Sequence, residues 1–444
     1  METVPLSAQD ALLSLYNHPL IHFFESKNAG AEFMPADALR ASLDLALREF
    51  PILLGRICDT GGGAAAVVVD ASSPNGPDYV ESESPVHYSD IARAGFSWDA
   101  WPEGVATAGP VTTPVGGVVR LLSVHVVRLA ARSGVVLFCN IPHYVLDGVG
   151  YYEFLRRWGQ LLRDGGASAG AQQYTFSREA QARGMQSQWQ RPLDALARRV
   201  LTTSSVGAWA LARIPFAMRT RLVAALVAGD LGRAHFFRVS GAALQALASR
   251  AQTSGSRAAS YSALAALFCT AVFCAQAAER QAGGGLAARA GAGLRRLALG
   301  PEEPRLLVNI IHTHRLGAPG AGRFVGNGIY IHPMHIAQAA PGADPVAGAA
   351  AQIAAAVDGV DGALLGAFHD TLGAHPRAHA SYTAHMAAHP GAVTVVDERH
   401  YGVSGVDFGG GGPAWVSGLP QSMPNFVALF AAPAGGAYVA FIRV

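Results

Sequence analysis

Lysine is almost missing from this chain. Of 33 basic residues all but Lys27 are arginines, they are dispersed, and the formal net charge is only +2. No basic patch or charge block therefore marks a nucleic-acid partner. Charged residues of both signs reach only 14 %, against 50 % hydrophobic ones, which excludes a disordered chain and favours well-packed cores. Cysteine is scarce too. Cys58, Cys139, Cys269 and Cys274 show no Cys-x-x-Cys spacing and read as small buried hydrophobes of a reducing compartment. The opening Met1-Glu-Thr-Val-Pro-Leu-Ser7 lacks the basic and apolar regions of a secretory signal. No uncharged run is expected to be long enough for a membrane span; the most apolar candidate, 206–229, contains Arg213, Arg219 and Arg221 and reads as an amphipathic helix or crossover. Together these absences predict a soluble cytoplasmic protein.

At 444 residues the chain exceeds one ordinary core, and two domains of roughly 200 residues each are expected. One stretch organises the reading: Gly134-Val-Val-Leu-Phe-Cys-Asn-Ile-Pro142-His143-Tyr-Val-Leu-Asp147-Gly148-Val-Gly150. The apolar, β-branched and aromatic run 135–141 reads as a buried strand that delivers His143 to a loop. Asp147-Gly148 is a turn signal in which Gly148 allows a positive φ. Beyond it Phe154, Leu155, Trp158, Leu161 and Leu162 fall at helical spacing. Taken alone the histidine and aspartate carry little weight: with 16 histidines in the chain, about one His-x-x-x-Asp pair arises by chance, and requiring glycine next lowers this to about 0.13.

Around that stretch strands and helices alternate. A helix is expected over 35–50, stopped by Pro51, with strands at 67–70, 79–80 and 118–129. The opening 5–28 is apolar without a decisive period. Residues 1–190 are expected to form the first domain, 191–232 a crossover and 233–444 the second domain. In the second, strands at 235–239, 306–312, 326–332, 393–396, 427–430 and 438–444 alternate with helices at 241–251, 261–279, 345–356 and on through 390. Two layered α/β sandwiches follow from this alternation.

Four ordered marks carry a resemblance to a known family. Leu39 to Ile57 ("LRASLDLALREFPILLGRI") is similar to an early helix ending in a Pro-Leu-x-Gly-Arg turn. Asn140 to Leu162 holds the His-x-x-x-Asp-Gly motif and its helix. Val308 to Tyr330 carries Arg315, Leu316, Pro319, Gly326 and Asn327. Asp407-Phe-Gly409-Gly-Gly411-Gly-Pro413 stands where Asp-Phe-Gly-Trp-Gly-x-Pro is usual. In this order the marks resemble the BAHD-type acyl-CoA-dependent acyltransferases, including their fungal relatives, over nearly the whole chain. There are departures: Gly410 replaces the tryptophan, Thr394 and Asp397 stand in place of a Ser-Trp or Thr-Trp pair, and around Thr313 the arginine that pairs with the motif aspartate in many members is replaced only by Arg315 as an alternative.

The resemblance implies two tandem chloramphenicol-acetyltransferase-like α/β domains with an active-site channel between them. It implies transfer of an acyl group from a CoA thioester to a hydroxyl or amine of a small specialised metabolite, by direct attack in a ternary complex, with His143 as general base. Imidazole suits that task because its ordinary pKa of about 6.5 leaves a neutral base at neutral pH. Asp147 is implied to brace the loop through an ion pair, with Gly148, Asp407, Gly409 and Gly411 as structural support and Arg315 and Arg323 as partners for CoA phosphates. Acyl-CoA is then a co-substrate, with no tightly bound cofactor, no metal, no nucleic acid, no membrane span, and a monomeric enzyme. Alternatives are a condensation-type enzyme fed by a carrier protein, less favoured because Pro142 precedes His143 where that family usually has another histidine, and a catalytically idle relative. His375/His379 and His385/His389 are four apart, yet lack the glutamate of a helical zinc motif and read as a solvated helix face. His312, His314, His332 and His335 flank the presumed channel, and Cys269 and Cys274 read as core.

Overall fold

The computed structural model describes residues 1–13, 17–27, 32–61, 64–72, 74–105, 119–166, 174–178, 192–203, 206–214, 218, 234–251, 259–281, 306–313, 323–337, 339, 342–375, 377–389, 392–418, 425–431 and 437–443. The undecided opening forms strand β1 (Glu2–Pro5), helix α1 (Ala8–Leu12) and strand β2 (Asn17–Glu25). Five residues would not hold a helix by propensity. A capping box does it: the Ser7 hydroxyl accepts from the Asp10 amide while the Asp10 carboxylate accepts from the Ser7 amide. Helix α2 (Ala36–Glu49) buries Leu39, Leu43, Ala46 and Leu47 on one stripe.

Strands β3 (Arg56–Gly61), β4 (Ala64–Val69) and β5 (Asp78–Glu83), helix α3 (Tyr88–Arg93), strands β6 (Ser123–Arg128) and β7 (Gly134–Pro142), helix α4 (Gly148–Arg163) and strand β8 (Tyr174–Thr175) complete the first half. The second half holds helices α5 (Ala195–Thr202) and α6 (Val206–Leu211), strand β9 (Ala234–Ser240), helices α7 (Gly241–Arg250) and α8 (Ala259–Gln281), then strands β10 (Leu306–Thr313), β11 (Arg323–Phe324) and β12 (Ile329–Ile336). Helices α9 (Pro345–Asp358), α10 (Gly362–Ala374) and α11 (Ala378–Ala388) follow, and strands β13 (Val393–Asp397), β14 (Trp415–Gly418), β15 (Phe426–Ala431) and β16 (Ala437–Arg443) end the described chain.

The first sheet runs β14-β2-β7-β6-β5 and the second β12-β10-β13-β15-β16-β9. Every residue of β7 is buried, as its apolar run requires of a central strand covered on both faces. Helix α4 is tied to α2 by Trp158, fully buried, whose indole N–H donates to the Leu39 carbonyl and the Ser42 hydroxyl, both at 3.1 Å. Burying a large side chain is worth about 1.5–3 kcal/mol, and the indole donor is satisfied while doing so.

The two halves are interleaved. Strand β14, from the end of the chain, extends the first sheet by pairing antiparallel with β2, Trp415 opposite Phe23. Tyr401, Val403, Val406 and Phe408 also pack in the first core. In exchange, Leu12 and Leu13 of the opening pack with Ile329, Tyr330, Leu364 and Phe368 of the second half.

Several expectations are corrected. Helix α8 holds an uncharged stretch, Ser260–Ala278, long and apolar enough by length and composition to cross a membrane, contrary to the reading of the chain; 56 % of it is buried, against α7 and α9. Cys58 and Cys274 are exposed, and only Cys139 and Cys269 are buried. His379 and His389 are buried rather than solvated, with His389 Nδ1 2.8 Å from the His385 carbonyl, whereas His375 is exposed and His385 half-buried, so each pair has one member turned to the core instead of both forming one wet face.

Candidate active site

His143 leaves the sheet where β7 ends. Asn17 opposite Pro142 is the last pair of the β2–β7 ladder, and a turn closed by the Val145 amide on the Pro142 carbonyl at 2.9 Å sets the next residues. His143 itself is partly buried between buried neighbours.

Asn327, just ahead of β12 in the other half, reaches this loop. Its Nδ2 donates to Asp10 Oδ1 at 2.7 Å and to the His143 carbonyl at 2.8 Å. Both partners are acceptors, which fixes the amide orientation. Oδ1 therefore faces His143 Nδ1, 3.2 Å away, so Nδ1 carries the proton and donates, and Nε2 is the ring nitrogen with a free lone pair. Asp10 is braced in turn: Arg178 Nε lies 3.0 Å from its Oδ2 in a buried ion pair, and Arg178 donates further to the carbonyls of Val145 (2.9 Å) and Phe176 (2.8 Å). A buried pair of this kind keeps both charges only when the remaining donors are satisfied, and here the guanidinium serves three acceptors.

A second imidazole lies on the first. The His18 ring stacks on His143 with centroids 5.0 Å apart and planes 6° apart, and its Nε2 lies 3.4 Å from Glu398 Oε1. Burial, then the charge of His18, push the His143 imidazole from 6.5 down to about 4 against the opposing pull of Asp147 and Asn327. A buried base is held neutral in this way because desolvation penalises its charged form.

Asp147 is fully buried and caps α4, its Oδ1 accepting from the Gly150 amide and its Oδ2 from the Gly328 amide, both at 2.9 Å. One carboxylate thus starts the motif helix and holds the segment that presents Asn327, which is bracing through backbone amides. Gly148 occupies the first turn of α4 and is absent from the glycines with positive φ. Its need is closeness instead: a Cβ there would overlap the Tyr401 ring. Asp407 accepts at Oδ1 from the amides of Gly409 and Gly411, each at 2.8 Å, and those two glycines take φ of +104° and +95°, a region that favours glycine. The space beside Gly410 holds Phe33, whose ring would stand 2.7 Å from a Cβ placed there; Phe33 also meets Phe24, and Phe24 meets Phe408.

Arg323 pairs with Glu153, which Arg156 also engages. Arg315, with Leu316, Pro319 and His314, lies outside the described residues, as does the side chain of His312. His332 Nδ1 meets the Tyr330 hydroxyl at 3.0 Å. Thr394 is buried, and its hydroxyl has no hydrogen-bond partner among the described residues, whereas Asp397 is held by Arg399 at 2.7 Å. Among the described residues no group of three or more His, Cys, Asp or Glu side chains is placed to hold a metal ion. Asp10, His18, Arg178 and Glu398 were missed in the sequence. Only Ser7-x-x-Asp10, a capping pattern, carried a local signal.

Two interleaved α/β sandwiches meeting at a histidine on the end of a central strand define the two-domain, chloramphenicol-acetyltransferase-like architecture. Residues 1–205 match the family described as Transferase family, which bears out the BAHD-type resemblance read from the motifs. The fold is similar to the crystal structure of vinorine synthase, with 16 % identity, a TM-score of 0.60, and coverage of 100 % of this chain and 90 % of that one. It is also similar to F. graminearum TRI101 complexed with coenzyme A and T-2 mycotoxin, with 14 % identity, a TM-score of 0.61, and coverage of 100 % and 95 %. The first condensation domain of the calcium-dependent antibiotic synthetase matches with 15 % identity, a TM-score of 0.55, and coverage of 100 % and 91 %. No curated protein matches the sequence.

Proposed function

We propose that the protein moves an acyl group from a CoA thioester to a hydroxyl or amine of a small specialised metabolite, with His143 as general base. The observation that carries this reading is the Asn327–His143 hydrogen bond, which puts the proton on Nδ1 and leaves Nε2 as the base. The acceptor's proton passes to Nε2 as its oxygen or nitrogen attacks the thioester carbonyl. The tetrahedral adduct then collapses, breaking the C–S bond, and the imidazolium returns the proton to the departing sulfur. No acyl-enzyme forms, and both substrates are bound together, which is the use of a site between two domains. TRI101 crystallised with coenzyme A and T-2 mycotoxin supports the choice of donor and of a small-molecule acceptor. Thiol release from a panel of acyl-CoA thioesters, with and without an acceptor panel, tests the reading. Acceptor-dependent release by the wild type and its loss in His143→Gln are expected, and no release from any thioester overturns it.

A second reading has one observation in its favour, the likeness to a condensation domain over the whole chain. In that case an acyl group on a pantetheinyl carrier protein is consumed and the free CoA thioester is not.

A further inference from the structure

His18 and Glu398 stand beside the candidate base without any part in the chemistry above. Both are buried, His18 8 % and Glu398 4 % exposed. They come from opposite ends of the chain, β2 and the segment after β13, and meet through Nε2 and Oε1 at 3.4 Å. His18 Nδ1 and Glu398 Oε2 have no partner among the described residues. A buried carboxylate with an unfilled oxygen is costly unless a cation faces it.

The neighbours narrow the roles. From α4, Tyr151 lies 5.3 Å from the His18 ring and donates its hydroxyl to the Cys139 carbonyl at 3.0 Å. Burial holds Tyr151 and Tyr152 well above the usual tyrosine range, so both stay uncharged. On β2 itself, burial pushes His22 down to about 3, so it too is neutral. Asp147, which faces His143, has both oxygens engaged by amides. Tyr401 fills the space over Gly148, whose Cβ would also approach the His18 ring. Glu398 is thus the anion that addresses His18.

We propose that the His18–Glu398 pair is a built-in second part of the site: His18 is a positioning residue that fixes the plane of the His143 ring by stacking and, as the imidazole paired with the carboxylate, holds the site's resident proton, reserving His143 for the proton of the acceptor. This rests on the reading of His143 as the base. When the pair carries its proton on His18, the like charge opposes a second proton on His143, in line with the downward push that His18 exerts on it.

The test follows the His143 imidazole by NMR in histidine-labelled protein, assigned with His143→Gln, in the wild type, His18→Gln and His18→Phe, alongside the pH profile of kcat/KM for thiol release. Circular dichroism checks that both variants fold. In both variants the His143 titration midpoint is expected to rise by about one pH unit, and the acid limb of the profile to rise with it. His18→Phe keeps the stack and so retains more of the plateau kcat than His18→Gln. An unchanged His143 midpoint in both variants overturns the proposal, as does a profile that falls by the same factor at every pH. A moved midpoint in a protein that releases no thiol from any thioester keeps the pairing and removes the general-base reading on which its purpose rests.

Discussion

Asn327 grips His143 from two sides. Its amide oxygen lies 3.2 Å from the ring Nδ1, and its amide nitrogen donates to the carbonyl of the same residue at 2.8 Å. One side chain from the opposite half of the molecule thus sets the tautomer and ties the ring to its own backbone.

Replacing the base is the first test. His143→Gln or His143→Ala is expected to leave a folded protein, because the side chain is partly exposed and its loop is held by Asp147 and Arg178. General-base removal costs about 10²- to 10⁴-fold in rate. Near wild-type turnover of a verified substrate by either variant would remove this mechanism.

Asn327→Ala frees the tautomer and leaves Asp10 Oδ1 and the His143 carbonyl without their donor. Each lost buried partner is worth about 1–3 kcal/mol, so kcat should drop roughly 10-fold or more, with a lower melting temperature and little change in the KM for the thioester. An activity loss that appears only in KM would place Asn327 in substrate binding.

Asp147→Ala removes a helix cap and the tie to Gly328 together. Cap loss alone costs about 0.5–2 kcal/mol, and the second buried amide adds to it. Denaturant unfolding should show the deficit, with residual activity that scales with the folded fraction. Asp147→Asn keeps an acceptor and should fall between the two. Full stability in Asp147→Ala argues against the bracing role.

Two imidazoles are held in uncharged form, His143 near 4 and His22 near 3, desolvation being the largest cause in each. In the unfolded chain both titrate near 6.5. Between those values the unfolded state binds more protons, so stability rises with pH across that window and falls as pH drops from about 6.5 toward 4. Denaturant midpoints across this range should follow that slope, and His22→Leu should flatten it. The kcat/KM profile should stay level down to about pH 5; an acid limb centred near 6.5 would contradict a neutral, desolvated His143.

Phe33 fills the space beside Gly410. Gly410→Trp should therefore destabilise by overpacking, about 1–3 kcal/mol, while the pair Phe33→Ala with Gly410→Trp recovers part of the loss. Melting temperatures of the two single variants and the double decide it. Simple additivity would show that the side chains do not share one space.

Much of the fold was legible. Helix α2 and the all-apolar β7 announced themselves by period and burial alone, because local spacing decides which face an element can hide. The Asp407 turn was legible too, since its glycines are needed by backbone conformation. The opening was not: α1 is only five residues and β2 has a histidine at both 18 and 22, so neither shows a clean period. The uncharged run in α8 reads in the sequence as a core helix with one buried face, and only its packing against α7 and α9 decides how much of it is covered.

The sequence by itself determined the strand–loop–helix that presents His143 and the aspartate cap four residues on, since both depend on neighbours in the chain. Tertiary structure decided the other groups that act on the ring. Asn327, His18, Glu398 and the Asp10–Arg178 pair arrive from segments up to 380 residues apart, and no local pattern records which distant polar groups will share one buried space. The partners of Asp147 followed the same rule: the carboxylate was visible in the sequence, but the backbone amide of Gly328 that takes its second oxygen exists only once β12 has been laid beside the motif loop.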